Sequence, residues 1–315
     1  MESRTTLVDI MKKYTSKLLL FGEHSIIKGS QALAMPLFHF SGSWEYAIEN
    51  MEEKQMNLPT FANHLKKLKK TNELLFDLDI KRFKNELDKG LFFNSNIPTG
   101  YGVGSSGALC AAVYDTFCNK KLEKISANFL ALKKIFAQLE SFFHGSSSGT
   151  DPLICFLEKV ILLESSERIE QVDFPKRINL DEHNRGQFFL LNTKMQRETN
   201  TFVNIFLEKC TNDYYFARIQ SELNPLVDEA ITAFLNQDGK SLFEMIHEIG
   251  HFQFKYFLEM IPSDFRTIWL DGLANNLYKL KLCGAGGGGF LLGMTFDFKK
   301  TQENLANYNL IPINI

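Results

Sequence analysis

Cysteine is sparse in this chain and never paired by spacing. Cys110, Cys118, Cys155, Cys210 and Cys283 are odd in number, widely separated and free of any Cys-x-x-Cys. That pattern excludes a disulfide framework or a zinc ribbon and fits a reducing compartment. No apolar run approaches membrane-spanning length, and Met1 to Tyr14 is polar and charged, without the apolar stretch of a secretion signal. The expectation is a cytoplasmic enzyme with no membrane partner. A large net charge is missing as well: the formal value is −2, which gives no general electrostatic reason to bind nucleic acid. The one dense basic run, Lys66-Lys67-Leu68-Lys69-Lys70, reads as a solvated helix face. Internal repeats and long disordered linkers are also absent.

What is present is enough apolar material for a packed core, 44% hydrophobic and 13% aromatic over 315 residues, in one large domain or two ordinary ones. Lys17 to Phe21 reads as a short buried strand ending at Gly22, and Gln31 to Phe40 as a second, with Pro36 at an edge or bulge. Residues 60–90 are charged and mostly helical, and Leu91 to Asn94 is a strand. A helix from about Ser126 to Phe143 carries the stripe Phe129, Leu132, Ile135, Phe136, Leu139 and Phe143, with Glu140 bordering the buried face and Gly145 as C-cap. A polar loop from Ser146 to Pro152 precedes an apolar strand pair around Leu153 to Leu163. Beyond a strand at Phe188 to Leu191 come several helices and a final strand, glycine turn and strand, Leu280 to Thr295. The change of pattern predicts domains at 1–186 and 187–315.

The most specific segment is Pro98-Thr99-Gly100-Tyr101-Gly102-Val103-Gly104-Ser105-Ser106-Gly107, which runs directly into the helix-forming Ala108 to Val113. Closely spaced glycines let a backbone turn tightly and approach a ligand, and a helix N-terminus offers unpaired amides to an anion. The loop lacks the Gly-Lys-Ser/Thr ending of a P-loop, and Ser-Ser does not close a Rossmann fingerprint. A plain glycine-rich turn between strand and helix accommodates the same residues. Gly22-Glu23-His24, between two apolar strands, is a second anomaly, because buried titratable groups need partners.

Three blocks together resemble the GHMP kinase family, named for galactokinase, homoserine kinase, mevalonate kinase and phosphomevalonate kinase. They are Lys17-Leu18-Leu19-Leu20-Phe21-Gly22-Glu23-His24-Ser25-Ile26-Ile27-Lys28-Gly29, the glycine-serine loop, and Lys281-Leu282-Cys283-Gly284-Ala285-Gly286-Gly287-Gly288-Gly289. The first block, and Glu140 to Pro152, look like the mevalonate kinase branch. The resemblance implies an α+β, two-domain fold: an N-terminal ribosomal protein S5 domain 2-like α/β domain and a C-terminal ferredoxin-like α+β domain. It implies ATP and Mg²⁺, with Pro98, Gly100, Gly102, Val103, Gly104, Ser105, Ser106 and Gly107 around the ATP phosphates. Asp151 and Lys17 become the catalytic pair, Ser106 and Glu140 the metal ligands, and Glu23, His24 and Asp151 the substrate-side residues. The terminal glycine run would pack against the phosphate loop. The implied reaction phosphorylates the primary hydroxyl of mevalonate in isoprenoid biosynthesis, or another small alcohol or sugar in a sister enzyme. The partner is then a small molecule, and a homodimer is compatible with the family. Departures are Tyr14-Thr15-Ser16 in place of Ala-Pro-Gly, Asp151-Pro152 in place of Asp-Asn, and Asn192-Thr193 in place of Asp-Thr.

One motif competes. His247-Glu248-Ile249-Gly250-His251 matches His-Glu-x-x-His, which on a helix presents two histidines to zinc. Gly250 weakens the helix that must hold them, and no histidine follows His251.

Overall fold

The computed structural model describes residues 12–47, 57–165, 168–173, 186–196 and 199–313. The polar start at 1–11 lies outside them, as do residues 174–185. The chain packs as two compact units, one of residues 1–17, 36–98 and 103–158, the other of 18–35, 99–102 and 159–315.

The first unit is largely helical. Strand β1, Lys13–Phe21, enters it, and β2, Ala32–Tyr46, pairs antiparallel with β3, Leu91–Ser95, through Gly42 to Tyr46. Between β2 and β3 lie α1, Leu58–Lys70, and α2, Ile80–Asp88, the latter capped by the Asp79 side chain accepting from the Arg82 amide. Then follow α3, Ser105–Phe117; α4, Phe129–His144; and α5, Thr150–Leu157. Tyr114 of α3, Phe136 of α4 and Phe156 of α5 meet with ring centroids 5.3 to 5.4 Å apart. Burying an aromatic ring of this kind contributes about 2–3 kcal/mol, and it ties the C-terminal turns of α3 and α5 to the middle of α4. Trp44, Phe83, Phe93 and Phe117 form a second aromatic cluster beside β2.

The helix α5 replaces the first half of the expected strand pair around Leu153 to Leu163. Every residue from Pro152 to Leu157 is buried, and a uniformly apolar run carries no period by which helix and strand differ. Gly149 in the left-handed region starts the helix, and Pro152 falls in its first turn, where the missing amide costs nothing.

In the second unit β4, Val160–Leu163, pairs with the start of β2 and with β5, Ile169–Val172. A four-stranded antiparallel sheet has the order β7-β8-β6-β9, with β6 at Gln187–Asn192, β7 at Tyr278–Leu282, β8 at Phe290–Thr295 and β9 at Asn309–Ile313. The helices are α6, Thr199–Lys209; α7, Asp213–Arg218; α8, Asn224–Leu235; α9, Gly239–Tyr256; α10, Arg266–Ala274; and α11, Phe298–Asn304. The chain therefore does not finish at the strand ending at Thr295: α11 and the edge strand β9 follow. Among the described residues no helix is long and apolar enough to cross a membrane.

Candidate active site

The glycine loop has the backbone its sequence requires. Gly100, Gly102 and Gly104 sit at φ 79, 72 and 82°, in the left-handed region that side chains disfavour. Gly104 is the N-cap of α3, so Ser105, Ser106 and Gly107 form the first helical turn, whose amides face away from the helix. The Lys17 amide donates to the Val103 carbonyl at 3.0 Å, which fixes the loop to the middle of β1. A Cβ on Gly107 would lie 2.9 Å from Pro152 N and 3.0 Å from Asp151 C. Glycine is thus what lets the starts of α3 and α5 meet, and it brings Ser106 toward Asp151.

Around this junction the structure gathers four residues singled out in sequence. Lys17 Nζ lies 2.8 Å from Asp151 Oδ1, with the lysine side chain 7% exposed and the aspartate 35%. Ser106 Oγ donates to Glu140 Oε1 at 2.9 Å, and Ser147 Oγ donates to Glu140 Oε2 while accepting the Gly149 amide. His144 Nε2 lies 2.9 Å from Ser106 Oγ. With Glu140 ionised, the serine proton is committed to the carboxylate, so the imidazole nitrogen is the donor to Ser106. Burial drives the Glu140 carboxyl up to about 7, the negative charge of Asp151 adds to the rise, and the serine hydrogen bonds and Lys17 oppose it.

The cluster holds two carboxylates against one ammonium, and Glu140 is buried. A carboxylate and a hydroxyl side by side are hard oxygen donors of the kind Mg²⁺ takes when phosphates and water complete its shell. Ser106 and Glu140 therefore fit that ion, and the left-handed glycines leading into a helix N-terminus fit an oligophosphate.

In the second unit Glu23 and His24 are both buried. Glu23 is engaged by Lys281, whose ammonium also donates to the Leu20 and Leu282 carbonyls at 3.0 and 2.9 Å. Burial raises the Glu23 carboxyl above its usual range, and Lys281 opposes the rise. His24 adopts φ 63°, its Nε2 lies 3.0 Å from the Ala285 carbonyl, and its ring packs against Phe206 and Phe257 at 5.0 and 5.7 Å. The terminal glycine run does meet the loop: a Cβ on Gly289 would lie 2.7 Å from the Tyr101 carbonyl. Lys281 and Ser147 were not assigned roles from sequence. A lysine in an apolar strand beside a glycine turn was the available signal for the first, and nothing distinguished Ser147 from its serine neighbours.

The His-Glu-x-x-His segment lies on α9. Gly250 does not weaken that helix for nothing: a Cβ there would lie 2.4 Å from the Leu280 carbonyl, and the Gly250 carbonyl accepts from Trp269 Nε1 at 3.1 Å. Among the described residues no group of three or more His, Cys, Asp or Glu is placed to hold a metal ion.

Residues 63–159 match the model of the GHMP kinases N terminal domain. Mevalonate kinase of Thermococcus gammatolerans is 24% identical over 168 residues, 46% of this chain and 48% of that protein; the match thus spans about half the length of the curated relative. Streptococcus pneumoniae phosphomevalonate kinase superposes with a TM-score of 0.65 at 15% identity, covering 96% of this chain and 98% of that one. Lactococcus lactis galactokinase complexed with galactose gives 0.64 at 15% identity, covering 96% and 92%. The likeness to the GHMP kinases N terminal domain is thus confined to residues 63–159, and the chain as a whole shares the α+β, two-domain fold of these solved kinases.

Proposed function

We propose that this chain transfers the γ-phosphoryl group of ATP to the primary hydroxyl of mevalonate. The observation that carries the reading is the Lys17–Asp151 pair at 2.8 Å, set at the starts of α3 and α5 beside Ser106 and Glu140. Phosphoryl transfer to an alcohol is a problem of positioning and charge neutralisation. Amides of the Gly102 to Gly107 stretch and the α3 N-terminus would hold the ATP phosphates, with Pro98 and Gly100 shaping the loop entry. Mg²⁺ held by Glu140 and Ser106 would neutralise the β- and γ-oxygens. Asp151 orients the acceptor hydroxyl and takes its proton as the oxygen–phosphorus bond forms and the bridging bond to ADP breaks. Lys17 pairs with the Asp151 carboxylate at 2.8 Å and faces the charge of the group in transit. Glu23 and His24 belong on the acceptor side in this reading, Glu23 through its pair with Lys281.

Mevalonate rests on the blocks around residues 17–29 and 140–152 and on the curated relative's name, whereas the folds of phosphomevalonate kinase and galactokinase fit equally well. A coupled ADP-release assay over mevalonate, phosphomevalonate, homoserine and galactose discriminates among them. Mevalonate-dependent turnover that falls at least about a hundredfold in Asp151→Asn is the expected result. Turnover of galactose without mevalonate, or an Asp151→Asn variant as active as the native chain, overturns the reading.

A further inference from the structure

The basic run of α1 is exposed, as expected of a solvated face, and three of its lysines also line a cleft. Within the first unit α1 and α2 border a cleft of about 710 Å³ into which Lys66, Lys69 and Lys70 project from α1 and Lys81 and Lys84 from α2. Charges three and four positions apart share a helix face, so each helix here sustains like-charge repulsion, and the two faces confront the same space. Lysines in the last turn of α1 are favoured by the helix dipole. Lys81, in the first turn of α2, stands at the end that disfavours cations.

The lining does little to relieve this. Lys69 is held by Asp77 at 3.0 Å and by the Leu78 carbonyl at 2.6 Å. Lys84 donates to the Asn63 amide oxygen at 2.9 Å, a neutral acceptor. Two carboxylates, Asp79 and Asp88, stand on the wall against the five ammonium groups, Asp79 also accepting the Arg82 amide as the cap of α2. The chain as a whole carries a formal −2, so the convergence of five ammonium groups is not a general surplus of base.

We propose that this cleft binds a small oligophosphate, a chain of two or more phosphates bridging the lysines of α1 to those of α2. A compact ligand with several negative charges in a row is the chemistry that two facing rows of ammonium groups recognise. Inorganic tripolyphosphate is the probe, titrated calorimetrically into the full chain at fixed ionic strength without Mg²⁺. The triple variant Lys66→Gln/Lys70→Gln/Lys81→Gln binds at least tenfold more weakly, with unchanged melting temperature and kinase turnover, while Lys17→Met at the catalytic cluster keeps the binding. If the triple variant does not fold, acylation of the native chain read by mass spectrometry serves instead: tripolyphosphate protects Lys66, Lys70 and Lys81. Unaltered affinity in the triple variant, or no protection, overturns the proposal. Tighter binding of a single-stranded RNA twelve-mer than of tripolyphosphate at these lysines also overturns it, in favour of a nucleic-acid face.

Discussion

Glu140 offers the sharpest test of the cluster, because its burial predicts both the sign and the size of a pH effect. The carboxyl is raised from 4.5 to about 7, chiefly by burial and then by the charge of Asp151. The folded state therefore binds more protons than the unfolded chain between these values, so stability falls as pH rises through them. The contribution is complete below the unfolded value and gone above the folded one. At about 1.4 kcal/mol for each tenfold change in proton binding, the whole effect is about 3 kcal/mol, of which about 2.5 kcal/mol is lost between pH 5 and 8.

The perturbation is Glu140→Gln, which retains an oxygen to accept from Ser106 and removes the charge. Urea unfolding of both proteins is followed from pH 5 to 8 without Mg²⁺, and the difference between the two free energies cancels titrations they share. That difference should move by about 2.5 kcal/mol in favour of the variant as pH rises. Mg²⁺ with a non-hydrolysable ATP analogue should restore the native chain at pH 8 more than the variant. Parallel pH profiles would refute the burial argument, and equal stabilisation of both proteins would refute the assignment of Glu140 as a metal ligand.

Three further outcomes follow from the same geometry. Lys17→Met removes the cation 2.8 Å from Asp151, and kcat should fall by roughly 10²–10³, as for loss of one charge-stabilising donor; steady-state kinetics within tenfold of the native chain would contradict the role. Glu23→Ala leaves the Lys281 ammonium buried without its carboxylate and should cost about 3–5 kcal/mol in urea unfolding. Joint replacement by Glu23→Gln and Lys281→Met should recover much of that loss, and strict additivity would argue against a coupled pair. His251→Ala should leave turnover and elemental zinc content unchanged; zinc bound in proportion to the native chain and lost from the variant would revive the metal motif on α9.

The parts of the site that could be read in sequence are those where backbone conformation dictates residue type. Glycine at 100, 102 and 104 answers a demand for positive φ, and Glu140 beside the apolar stripe of α4 was marked as bordering the core, where it is indeed buried. The failures have physical causes too. Pro152 to Leu157 is apolar on every side, so no period separated helix from strand. Strand β7 reads Tyr-Lys-Leu-Lys-Leu, and alternation would send its lysines to solvent, yet all five residues are buried. Lys281 is satisfied by Glu23 and two carbonyls, and Lys279 by the Gly272 carbonyl at 2.9 Å near the end of α10. Strand β9 carries Pro312, which only an edge position tolerates.

The buried carboxylates of Glu23 and Glu140 are handled in opposite ways, one balanced within the fold and the other not. Glu23 has a lysine of its own, itself anchored to two carbonyls, so its charge is balanced inside the fold. Among the described residues Glu140 has no such ion pair: its hydrogen bonds come from the hydroxyls of Ser106 and Ser147, while the nearby ammonium of Lys17 is taken by Asp151. Hydroxyls orient a carboxylate without neutralising it, so Glu140 stays protonated at a cost or ionised at a cost until a cation arrives. A site left one positive charge short, between two helix starts that themselves favour anions, suits the joint binding of metal and phosphates that the proposed function calls for.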